Sequence, residues 1–237
     1  MLRKILTVVA LTLMAPAALA QEATYEWSGL YAGAVVGVAS GNSAFCDGST
    51  APGFSNCDAS FPQLSLSGTT GGVTVGYNWQ FNDIIAGVEA DYSFGSIDGS
   101  SGSTATFGCG GGGALCESSI DSYATLRGRV GIPQGNLLPY LTVGVAFSDL
   151  NASIATPPPP GGAQGSGTGT SAVLGGGVEV GLNPRTTMKF EYLYITDPDV
   201  LRFDPTGVCG SPGCFTRRNG FGTVRIGVNY QFLKRQR

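Results

Sequence analysis

The chain has 237 residues, room for one large domain or two small ones. Only 12% of it is Asp, Glu, Lys or Arg, about half the share of a soluble globular protein, while Gly, at 38 residues, is about twice as frequent as usual. With a net charge of −3, a pI near 4.9 and no histidine, it has no basic footprint for nucleic acid and no His-based catalytic or zinc site, and each mid-helix Gly would cost about 1 kcal/mol in a helical bundle.

Arg3 and Lys4 precede an apolar run from Ile5 to Met14, and Ala18-Leu19-Ala20 forms a cleavage site before Gln21. This is the pattern of a secretory signal peptide over residues 1–20, which leaves residues 21–237 as one domain. The run is too short to span a bilayer comfortably, and Pro16 interrupts it. The processed chain carries 11 basic and 16 acidic residues, a net charge of −5. No later stretch reaches 18 apolar residues, so no transmembrane helix is expected.

Six cysteines lie beyond the cleavage site and point to an oxidising compartment. They fall into three local pairs, Cys46 with Cys57, Cys109 with Cys116 and Cys209 with Cys214, each within its own Gly-rich polar segment. Six cysteines allow 15 connectivities. The local one is expected, each small ring contributing about 2–3 kcal/mol in the chain-entropy description. Separate loops and the lack of histidine disfavour a metal site. The Gly-rich GSGTGTS at 165–171 follows neither the dinucleotide nor the phosphate-loop spacing, so no cofactor is expected.

The remaining pattern has period two, the signature of strands. The first strand, from near Trp27, sets Leu30, Ala32, Ala34, Val36 and Val38 against Gly29, Tyr31, Gly33 and Gly37. Residues 73–81 put Val73, Val75, Tyr77, Trp79 and Phe81 on one face, and a break at Asn82-Asp83 leads to Ile84, Ala86, Val88, Ala90, Tyr92 and Phe94. Two strands joined so tightly form an antiparallel hairpin. Residues 120–132 place Ile120, Ala124, Leu126, Val130 and Ile132 opposite Asp121, Tyr123, Thr125, Arg127 and Arg129. After a turn at 133–136 come Leu141, Val143, Val145 and Phe147. Residues 172–182, a turn at 183–186, and Met188, Phe190, Tyr192 and Tyr194 make a third hairpin. The last strand sets Val224, Ile226, Val228, Tyr230 and Phe232 against Thr223, Arg225, Asn229 and Gln231. That makes eight strands of about ten residues, with three short links and four long ones, at 40–70, 95–118, 149–170 and 196–220.

The polarity of the two faces decides which points inward. A soluble barrel needs a charged outer face, yet the processed chain has only two lysines, Lys189 and Lys234. The polar faces carry Gly, Thr, Ser and Asn with a few opposed charges, which suits a cramped polar lumen. The apolar faces end in aromatics, Trp79, Phe81, Tyr230 and Phe232 towards the short turns and Tyr92, Phe94, Phe147, Tyr192 and Tyr194 towards the long links. Two aromatic bands around an aliphatic belt mark a membrane barrel. The expected fold is therefore all-β, an eight-stranded antiparallel up-and-down transmembrane β-barrel with short periplasmic turns and four long extracellular loops. Its lumen then holds Glu89, Asp91, Asp121, Glu179 and Glu191 with Arg127, Arg129, Lys189 and Arg225, near neutrality and able to pair internally.

The segments Trp27-x-Gly29-x-Tyr31-x-Gly33, GYNWQF at 76–81, GVEADYSF at 87–94, LRGRVG at 126–131, PYLTVGVAFS at 139–148, KFEYLYI at 189–195 and VRIGVNYQF at 224–232 resemble the small outer-membrane β-barrel family of Gram-negative bacteria, the OmpA-like, porin-family or immunogenic outer-membrane type. The resemblance covers nearly all of the processed chain. It implies an outer-membrane location, an envelope-integrity or surface-antigen role, and recognition by the barrel-assembly machinery; contact with lipopolysaccharide is expected separately, from the acidic rim of the long loops through bridging divalent cations, with Arg217 and Arg218 touching phosphates. Barrels of this type usually stop at a terminal aromatic, whereas here Leu-Lys-Arg-Gln-Arg follows Phe232. A lumen stopped by ion pairs, no enzymatic activity and no nucleic acid partner are the expectations. The alternatives are a narrow gated channel and an adhesin that binds an unidentified surface ligand through its loops.

Overall fold

The computed structural model describes residues 25–47, 63–102, 115–156, 161–196, 201–203 and 214–233. The signal-peptide reading of residues 1–20 lies outside them. So do Cys57, Cys109 and Cys209, and with them every proposed cysteine pairing. Cys116 is fully buried and disulfide-bonded.

The described residues form nine strands: β1 (Gly29–Asp47), β2 (Gln63–Phe81), β3 (Ile84–Ser101), β4 (Cys116–Gly131), β5 (Leu137–Thr156), β6 (Gly161–Asn183), β7 (Thr186–Ile195), β8 (Leu201–Phe203) and β9 (Cys214–Leu233). Each is antiparallel to its neighbours, in sequence order from β1 to β7 and then β9, and β9 returns to pair with β1. Eight strands thus close a ring. The three-residue β8 pairs with the far end of β9. Closure leaves no open edge along the ring, the condition for a sheet to cross lipid with its backbone satisfied.

Alternation decides the faces. On β9, Val224, Ile226, Val228, Tyr230 and Phe232 are exposed, and Thr223, Arg225, Asn229 and Gln231 are buried. The same holds on β5 for Leu141, Val143, Val145 and Phe147 against Thr142 and Ser148. The nine residues from Val224 to Phe232 match the length a tilted strand needs to cross a bilayer.

The strands run much further than ten residues. Apart from β7, with 10, the ring strands have 16 to 23 residues. Much of what composition marks as long loops is strand: β5 and β6 pair as far as Thr156 with Gly161. Beyond the belt the polarity of the faces inverts. Gln63, Ser65 and Ser67 point outward from β2, and Leu64 and Leu66 are buried. Phe45, Ile97, Ile120, Leu150, Ile195 and Phe221 join them in an apolar core inside the ring.

One predicted face is overturned. Ile120, expected outside, is buried, and Asp121, expected in the lumen, is exposed. The ladder pairs Ile120 with Leu150 and Ser122 with Asp149, so Asp121 is the extra residue of a β-bulge. An inserted residue shifts the alternation by one and exchanges the faces beyond it.

Candidate functional site

The membrane-spanning part of the ring encloses the charged residues. Glu89 and Asp91 come from β3, Arg127 and Arg129 from β4, Glu179 from β6, Lys189 and Glu191 from β7, and Arg225 from β9; all eight are at most 5% exposed. Period two aims each inward from a strand whose other face meets lipid. Inward glycines leave the room: a Cβ on Gly76 would collide with the Tyr31 ring, and one on Gly144 with the Arg127 backbone.

Arg127 stands at the centre. Its guanidinium reaches Glu89 Oε1 at 2.5 Å, Asp91 Oδ2 at 2.7 Å and Glu191 Oε1 at 2.9 Å, and its Nε donates to Thr125 Oγ1 at 2.9 Å. Arg225 binds two of the same carboxylates, Asp91 Oδ1 at 2.8 Å and Glu191 Oε2 through Nε at 3.0 Å. Lys189 Nζ lies 2.9 and 3.0 Å from the two oxygens of Glu89. Arg129 pairs with Glu179 Oε2 at 2.6 Å and lies 4.1 Å over the Tyr140 ring. Four carboxylates thus meet four cations, and the planar five-donor fork of arginine is what lets one side chain bridge three acids.

Neutral groups complete the network. The Tyr31 hydroxyl donates to Glu89 Oε2 at 2.8 Å, the Tyr140 hydroxyl to Glu191 Oε1 at 2.9 Å, and Asn229 Nδ2 to Glu179 Oε1 at 3.0 Å; Thr187 also donates to Glu179. The sequence reading missed both tyrosines in this role. Their signal was parity, since each shares a face with residues otherwise small or charged. Asp121 stands apart on the outer wall, where its Oδ2 accepts from Asn151 Nδ2 at 2.8 Å.

Apolar layers lie at both ends of the network. Towards the short turns, the rings of Tyr25 and Trp27 lie 4.4 Å apart between centroids, tilted by 51°, and pack with Ile85 and Leu138, the segment before β1 folding into the mouth of the ring. Burial, reinforced by the Glu179 carboxylate, pushes the Tyr25 hydroxyl up to about 12. Towards the other end lies the core of Phe45, Ile97 and Phe221. Among the described residues no group of three His, Cys, Asp or Glu is placed to hold a metal ion.

A closed eight-stranded ring, a lipid-facing apolar belt and a charged interior define an outer-membrane β-barrel. The chain belongs to the outer membrane protein beta-barrel domain family, whose model matches residues 6–232. It is similar to the 31 kDa outer-membrane immunogenic protein of Brucella melitensis, 29% identical over 220 residues that cover 88% of this chain and 85% of the relative. The 22 kDa outer membrane protein of Rhizobium leguminosarum is 30% identical over 165 residues, covering 70% of this chain and 67% of the relative. Among solved structures, the outer membrane protein OprG of Pseudomonas aeruginosa shares the fold with a TM-score of 0.57 at 13% identity, over 88% of this chain and 98% of its own. The protein resides in the outer membrane. Short turns of such barrels face the periplasm and long connections the exterior.

Proposed function

We propose that this barrel is a closed, non-catalytic structural element of the outer membrane whose outer end serves as a surface antigen. The observation that carries the reading is the interlocked set of four carboxylates and four cations, each nearly inaccessible to solvent and covered by apolar layers. Eight strands enclose a space that side chains can fill, and the burial of Tyr31, Tyr140 and the charged set supports that reading here. Breaking a buried pair leaves an uncompensated charge and costs about 3–5 kcal/mol, so spontaneous opening is rare. Steady current therefore requires a rearrangement that the apolar layers also resist.

The absence of histidine supports the non-catalytic reading. So does the pairing of Glu89 and Asp91 with guanidinium groups, which leaves these two neighbouring carboxylates unsuited to act together as general acid and base. Names such as immunogenic protein among the relatives support surface exposure of the outer end. We also propose that lipopolysaccharide surrounds that end, and that β9, with Phe232 near its close, is presented to the barrel-assembly machinery.

Planar-bilayer recording on refolded protein tests the closed lumen. The expected record has no steady openings. Large, reproducible unitary currents would establish the gated-channel reading instead.

A further inference from the structure

The outer extensions of β3, β4, β5 and β6 carry a groove of about 590 Å³ that the lumen does not use. Its outward side chains come from two rows fixed by strand register, and the row between them, Gly99, Ser118, Ala152 and Gly165, contributes the floor. Asp98, Ser119, Asn151 and Ser166 are paired across the four strands in one row. Ser100, Glu117 and Ser153 form the next, two residues further out. Neighbouring strands lie about 4.8 Å apart and alternate residues about 6.6 Å apart along a strand, so the rows make a regular grid of polar groups. The volume falls within the range of about 300–1,000 Å³ typical of small-ligand sites.

The chemistry of the lining selects the ligand. Ala152 lies in the intervening row and is buried in the core inside the ring, so the outward rows offer no apolar side chain for an apolar molecule to bury against. Two carboxylates with no cation in the lining repel a phosphate or a sulfate. A bare metal ion lacks a third carboxylate, since no such group of three exists among the described residues. What remains is a molecule with many hydroxyls, neutral or positively charged. Serine hydroxyls and the Asn151 amide both donate and accept, and each carboxylate has about four acceptor positions. Glu117 Oε2 accepts from Ser153 at 3.4 Å, which leaves it further acceptor capacity. A protonated amine would convert bonds to Asp98 and Glu117 into the stronger charge-assisted kind.

Location narrows the source. The groove opens sideways from the barrel wall, its two rows four and six residues along β3 and β5 beyond Phe94 and Phe147 of the aromatic belt. Glycans standing on the membrane can reach that height. We infer that this groove is an oligosaccharide-binding site selective for amino sugars over sulfated or phosphorylated ones, occupied by glycan at the membrane surface. The inference is independent of whether the lumen conducts, because no charged lumen residue takes part.

The test uses the full processed chain refolded in phosphatidylcholine nanodiscs and titrated calorimetrically with a glucosamine trimer. Saturable one-to-one binding is expected, weakened at least tenfold in the Asp98→Asn/Glu117→Gln variant, with no heat from a sulfated heparin-derived oligosaccharide. Ser166→Tyr, which fills the groove without changing charge, should also abolish binding, and it serves if the double variant fails to fold. Folding of each variant is read from the gel shift between unheated and boiled samples. No saturable binding of the trimer, equal binding of the sulfated probe, or undiminished binding in both variants would overturn the site. Repeating the titration in discs that contain lipopolysaccharide separates the sources. A tenfold drop in apparent affinity means membrane glycan occupies the groove, and an unchanged value means the ligand arrives from the medium, which overturns the membrane assignment.

Discussion

At the scale of single residues, the lumen is held by shared partners rather than by isolated pairs. Glu89 alone receives Lys189, Arg127 and the Tyr31 hydroxyl. Lys189 makes its short contacts to Glu89 through both oxygens, so Glu89→Gln removes the anion while keeping the shape and leaves a buried ammonium without its counter-charge. That variant is expected to lose about 3–5 kcal/mol in urea titrations of the folded barrel. Adding Lys189→Met should recover much of the loss, because it replaces the stranded charge with an apolar chain of similar length. If the double variant is as unstable as Glu89→Gln alone, the pairing of these two residues is not what matters. Asp121→Asn on the outer wall should change stability by no more than about 0.5 kcal/mol, the usual effect of an exposed substitution.

At the scale of elements, the hairpins and their parity were legible because lipid imposes a strict rule: every outward position between the aromatic bands is apolar. Strand extent was not legible. Beyond the belt the outer face meets water, and runs such as Ser65, Ser67 and Thr69 look like loop while lying in β2. The bulge at Asp121 could not be read either, since an extra residue has no compositional mark; β4 gains one residue against β5, and β3 gains one against β4 between Phe94 and Ile97. The turn after β2 shows where local chemistry does decide. Asn82 takes φ 51°, in the left-handed region that Asn tolerates and β-branched residues resist. Asn82→Val should cost about 1–2 kcal/mol, while Asn82→Gly should be close to neutral. Equal stability of the two, measured in the same urea titration, would show that the turn relaxes.

At the scale of the molecule, one closed sheet carries two opposite solvent relations. Through the membrane it is apolar outside and ionic inside; beyond it, polar outside and apolar inside. The transition occurs within single strands, between Val73 and Leu66 on β2 and between Phe94 and Ile97 on β3. Between β2 and β3 the register runs through it unbroken, because the pleat offers both faces along its whole length, whereas the β3–β4 and β4–β5 ladders pass it through bulges. The outer end is therefore a water-soluble barrel built on a membrane barrel, and its stability comes from area removed from water rather than from lipid. Leu64, Leu66, Ile97, Ile120, Leu150 and Phe221 are each at most 2% exposed. Backbone amides in a packed core exchange with solvent only through larger openings, whereas mobile loops open at almost no cost. Hydrogen exchange on the refolded protein should accordingly find the amides of Leu64, Leu66, Ile97 and Leu150 at least about a hundredfold slower than an unstructured chain, although they lie outside the bilayer. Ile97→Ala should remove that protection locally and cost about 2–5 kcal/mol, the range for truncating a buried aliphatic side chain. Exchange at unstructured rates in the unaltered protein would mean that the ring ends at the aromatic belt and that the outer strands are loops after all.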